Sequence, residues 1–161
     1  MSTDLSETAA ALRGGGAPLE AHTGQGRLAI PRVRVARSLW ARFLGLMGRS
    51  HLDPDEGLWL VPCRSIHMFF MRTRIDVAFL NRQGVVVRTV AEMRPWSLRP
   101  LSVTLLPVRG AYSTVELAPG SLARMGIVPG SRLTFHPSIA HELNSEDTAL
   151  YVATELTGAG E

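Results

Sequence analysis

The sequence predicts a mostly-β fold, a single-domain sandwich or roll with two short helices, and three observations predict it. Short runs of β-branched, aromatic and aliphatic residues recur from Leu58 to Phe135, each bounded by Gly, Pro, Asn or Asp. Two of these runs, Asp76 to Leu80 and Val85 to Val90, flank Asn81-Arg82-Gln83-Gly84, the composition of a hairpin turn. The length, 161 residues with 45% hydrophobic side chains, ten prolines and fifteen glycines, holds one ordinary domain with loose ends.

Residues 1–26 contain Gly14-Gly15-Gly16 and few large apolar groups, so they are expected to be a disordered tail that buries too little surface to offset chain entropy. The domain is expected over residues 27–136. Leu28, Ile30, Val33 and Val35 alternate with polar neighbours as in a one-sided strand interrupted at Pro31. Ser38 can cap a short helix in which Leu39, Trp40, Phe43, Leu44 and Met47 recur at helical spacing, with Gly48 near its end. After the turn Asp53-Pro54-Asp55-Glu56-Gly57, the run Leu58-Trp59-Leu60-Val61 fits a buried strand. The hairpin follows. Leu101 to Leu106 and Tyr112 to Leu117 are further strands. Pro119-Gly120-Ser121 opens a one-turn helix that Gly126 stops, and Pro129-Gly130 turns the chain into a last strand, Arg132 to Phe135. Residues 137–161 form an acidic C-terminal extension.

All 17 basic side chains are arginine, which rules out lysine chemistry. Sixteen of them face only six acids between residues 27 and 132. Such a segment can attract anions or an acidic partner, or its arginines can spread over all faces as ordinary surface charge or pair with the acidic extension, and the ordinary surface reading is favoured. The single cysteine excludes an internal disulfide framework or a zinc site of several thiolates. No apolar run approaches the roughly 20 residues that span a bilayer, and the first residues lack a basic start followed by an apolar core. A cytoplasmic protein with no membrane partner is therefore expected.

Arg42-Phe43-Leu44-Gly45-Leu46-Met47-Gly48-Arg49, Gly57-Leu58-Trp59-Leu60 with Cys63, Ile66-His67 to Met71, Ile75-Asp76-Val77-Ala78-Phe79-Leu80, Gly84-Val85-Val86-Val87 and Val115-Glu116-Leu117-Ala118-Pro119-Gly120 occur in this order. In these pieces the chain resembles the domain of unknown function 192 family. The resemblance implies a compact β-sandwich or roll and no particular activity. The commoner form of that family carries Trp-Met-Lys-Asn-Thr and a longer spacer before Pro-Leu-Asp, whereas here Met71 and Asp76 lie closer together.

Candidate chemistry concentrates between Cys63 and Trp96. Cys63, His67 and Met71 recur every four residues, a soft copper(I) set if that stretch is helical. In an extended chain they spread over about 25 Å and pack as ordinary core residues instead. A Cys63–His67 nucleophile pair competes with an inert buried thiol. Asp76 at a strand start needs a donor, for which Arg72, Arg74 and His67 are nearest in sequence. Trp96, between Arg94-Pro95 and Arg99-Pro100, either covers a sheet edge or stacks on a ligand. Glu116 faces opposite to Val115 and Leu117, solvated or paired with an arginine. No phosphate loop, metalloprotease helix, nucleophile elbow or nucleic-acid module is present.

The expected function is a non-catalytic accessory module. In it His67, Arg72, Asp76 and Trp96 hold a small anionic or hydroxylated ligand or a segment of a partner protein. No cofactor and no specific nucleic acid are expected. The alternatives are a small hydrolase or lyase with His67 as base, and a copper-binding protein using Cys63, His67 and Met71.

Overall fold

The computed structural model describes residues 17–37, 46–97 and 106–135. The helix expected around Leu39 to Met47 falls largely on residues 38–45, the strand Leu101 to Leu106 on residues 98–105, and the acidic extension on residues 136–161, all outside the described residues.

Among the described residues, seven strands form one sheet: β1 (Ala17–Thr23), β2 (Gly26–Ala36), β3 (Glu56–Leu60), β4 (Ile75–Leu80), β5 (Val86–Met93), β6 (Ser113–Leu117) and β7 (Arg132–Phe135), in the order β5-β4-β6-β3-β2-β1-β7. The neighbours are antiparallel except β2 and β3. The two outer strands meet at one end, where Val85 bridges Arg132 and the Leu133 amide donates to the Gly84 carbonyl at 2.9 Å. The sheet therefore curls into a roll, which limits its exposed edge. Helix α1 (Ser121–Met125) ends on Gly126, whose left-handed φ of 63° closes the turn. No helix among the described residues is long and apolar enough to cross a membrane.

β1 corrects the expected tail. Residues 17–23, inside the segment expected to be a tail, form a strand, because Leu19 and Ala21, two residues apart, put a fully buried face against Ile30 and Leu133. β2 also runs unbroken through Pro31. A register shift between Ala17 and Leu19 sets Pro18 and Pro31 at the same irregularity, where neither ring removes a regular ladder bond.

The pleat sorts the core into two layers. Leu19, Ile30, Val33, Trp59, Ala78, Leu80, Val86, Val115, Leu117 and Leu133 point into the roll, where Leu122 and Met125 of α1 plug it. Leu58, Leu60, Ile75, Val77 and Phe79 point outward and are covered by Leu46, Leu52, Ile66, Met68, Met71 and Val108 from the loops. Both faces of β4 are therefore buried. The loop between β3 and β4 is the lid of the outer layer.

Candidate functional site

That loop alternates inward and outward side chains. Ile66, Met68 and Met71 are buried in the outer layer, whereas Phe69 and Phe70 are pushed into solvent. The Trp96 amide donates to the Met68 carbonyl at 2.8 Å and the Gly48 amide to the Phe70 carbonyl at 3.2 Å, so three segments are tied together. The result is an aromatic ledge. Phe69, Phe70 and Trp96 are 39%, 56% and 60% exposed, and the Trp96 ring meets those of Phe70 and Phe69 edge-on at 5.0 and 6.3 Å. The His67 ring stands 5.8 Å from that of Phe69. Phe70 and Trp96 hold φ near 60° and 58°, in the left-handed region that bulky residues rarely adopt.

Of the four residues expected at a shared rim, the structure brings His67 and Trp96 to the same aromatic cluster through Phe69 and leaves Arg72 exposed on the ledge loop. Asp76 does not join them. It points with Ala78 and Leu80 into the roll, fully buried, and its donors are backbone amides in place of the expected Arg72, Arg74 or His67. Oδ1 accepts the Glu92 amide at 2.8 Å and Oδ2 the Leu122 amide at 2.9 Å. Arg74 pairs instead with Glu92, at 3.2 Å.

The stretch from Cys63 to Met71 is not helical, so its four-residue spacing aligns no common face. The Cys63 thiol donates to the Ser65 carbonyl at 3.0 Å, and Met68 and Met71 pack in the apolar layer. Among the described residues, no three His, Cys, Asp or Glu side chains gather to hold a metal ion.

Glu116 is neither solvated nor paired with an arginine, contrary to expectation. It lies on the outer face between Leu58 of β3 and Val77 of β4, 6% exposed, and its Oε2 has no hydrogen-bond partner. Burial pushes its carboxyl up to about 7. Alternation placed Glu116 on the right face, but only the lid made by the loops shows that this face is buried.

The remaining central acids are engaged at the surface. Arg32 reaches Asp55 at 2.9 Å, Asp53 at 3.4 Å and Glu56 at 3.6 Å, and Arg49 reaches Glu56 at 3.0 Å. The Arg32 hydrogen bond holds the Asp55 carboxyl below the usual carboxylate range. With its acids either buried or paired, the domain presents a surplus of guanidinium groups, Arg72 and Arg94 on the ledge loops among them.

The profile of the DUF192 family, described as "Uncharacterized ACR", matches residues 20–135. A UPF0127 protein of Pyrococcus furiosus is 34% identical over 113 residues, which is 66% of this chain and 89% of that protein. A UPF0127 protein of Thermococcus sibiricus is 33% identical over 104 residues, 60% of each chain. A crystal structure of a protein of unknown function from Novosphingobium aromaticivorans aligns with a TM-score of 0.64 at 26% identity, over 73% of this chain and 83% of that one. A putative transcription regulator from Sinorhizobium meliloti aligns with a TM-score of 0.60 at 24% identity, over 73% and 92%, a likeness of fold alone.

Proposed function

Because this chain belongs to the DUF192 family, whose description names no activity, we propose its function from its surface. It is a non-catalytic binding module whose aromatic ledge, Phe69, Phe70 and Trp96, recognises an acidic peptide segment bearing apolar side chains on a partner protein. One observation carries this reading: two of the three exposed rings sit on left-handed backbone. Such backbone costs about 1–3 kcal/mol per residue, and solvated rings return little of it to folding. A patch of this kind fits an interaction site.

The rim sets the charge of the partner. Arg72 and Arg94 are exposed, each two residues from a ledge ring, and among the described residues neither has a carboxylate partner.

The test is fluorescence anisotropy with a labelled peptide of alternating Glu and Leu. The reading expects saturable, salt-sensitive binding, weakened roughly tenfold or more by Trp96→Ala and by Phe70→Ala. Equal affinity in wild type and both variants contradicts it.

A further inference from the structure

The β4–β5 hairpin carries the ledge loops at its open end and a second feature at its turn, roughly 17 Å away along β4. There an open surface hollow of about 380 Å³ is lined by residues that include Arg64, Asn81, Arg82, Gln83, Gly110 and Tyr112, with no carboxylate in its wall. We infer that this hollow binds a small phosphorylated molecule, with the Arg64 and Arg82 guanidinium groups clamping its phosphate.

Charge is the first argument. Two arginines line one concave surface, and a guanidinium is a planar fork that matches two phosphate oxygens at once. A dianionic phosphate monoester answers two such charges better than a single carboxylate does. The volume lies in the range of small-molecule sites and leaves room for more than a bare phosphate.

Preorganisation is the second. The Arg82 guanidinium carbon sits over the Tyr112 ring at 4.1 Å, which fixes the side chain before any ligand arrives. The three wall segments are joined by short backbone bonds: the Tyr112 amide to the Leu80 carbonyl at 2.7 Å, the Cys63 amide to the Tyr112 carbonyl at 2.9 Å, and the Val108 amide to the Arg64 carbonyl at 2.7 Å. The turn holds itself as well, since Asn81 Oδ1 accepts the amides of Gln83 and Val85 at 2.9 and 3.0 Å. With Oδ1 engaged in this way, the Asn81 amino group is the part of that side chain left to donate, and Gln83 stands in the same wall. Gly110, at φ 79°, adds wall without a side chain to crowd it.

The experiment is a titration of the ¹⁵N-labelled full chain with inorganic phosphate and, separately, ribose 5-phosphate, followed by amide chemical shifts. Saturable shifts confined to Arg64, Asn81 to Gly84 and Gly110 to Tyr112 are expected. Arg64→Ala and Arg82→Ala should each weaken binding roughly tenfold or more without altering the rest of the spectrum. Trp96→Ala should leave it unchanged, which separates this site from the ledge. Three results overturn the inference: shifts that never saturate, shifts scattered over arginines elsewhere, or variants that bind like wild type. Binding of a single-stranded oligonucleotide or of anionic vesicles that depends on both arginines, while ribose 5-phosphate fails to bind, equally overturns the small-molecule assignment.

Discussion

Asp76 caps a helix that its own strand does not contain: its Oδ2 accepts the Leu122 amide of α1 at 2.9 Å, from 46 residues away in the chain. The residue before α1 is Gly120, which has no side chain to do this. Oδ1 meanwhile accepts the amide of Glu92, where β5 bulges against β4 and φ is 48°. One buried carboxylate thus holds the plug of the roll and the bulge that leads β5 into the ledge loop.

Asp76→Ala is therefore expected to destabilise the fold by about 2–5 kcal/mol, since a buried amide and a part-buried one both lose their acceptor. Asp76→Asn keeps one acceptor and should cost less. Urea denaturation measures both, and a loss below about 1 kcal/mol for the alanine variant contradicts this role.

Glu116 gives a pH dependence with a definite sign. Its carboxyl lies at about 7 in the folded chain and near 4.5 when exposed, so the folded state holds the extra proton between those values. Stability then falls as pH rises from 4.5 to 7, by about 3 kcal/mol, and levels off above. Glu116→Gln should remove that fall, which thermal melts of wild type and variant across the window detect as a converging difference at low pH.

Gly57 lies where the inside of the roll has little room for a side chain. A Cβ there would lie 3.0 Å from Leu117 Cδ2, 3.2 Å from the Glu116 carbonyl and 3.2 Å from Val33 Cγ2. Gly57→Ala should destabilise by about 1–3 kcal/mol through overpacking. Calorimetry showing an unchanged melting temperature would contradict the packing described.

The parts legible in the sequence were those where local pattern and tertiary burial agree. The β4–β5 hairpin, the stop of α1 at Gly126 and the final strand follow from turn residues and period-two alternation. β1 was missed because glycines surround it, although Leu19 and Ala21 carried the alternation. Asp76 was assigned side-chain donors because sequence proximity favours Arg72 and Arg74, whereas its partners Glu92 and Leu122 become neighbours only through sheet order and the bulge. The ledge is not legible locally either, because nothing in the pattern around Phe69 and Phe70 shows that the loop twists at Phe70 and turns both rings outward.

Phe70→Gly and Trp96→Gly separate folding from recognition. Each relieves left-handed strain while adding chain entropy, so stability should change by less than about 1 kcal/mol in either variant. Binding of the Glu–Leu peptide should nevertheless be lost. Denaturation and anisotropy on the same samples test this, and a large destabilisation would mark the rings as structural.

The most direct measurement follows the indole N–H resonances while the Glu–Leu peptide is added. If the ledge is the recognition surface, the exposed Trp96 signal moves saturably and the buried Trp59 signal stays in place. A peptide that binds without moving Trp96 contradicts the account.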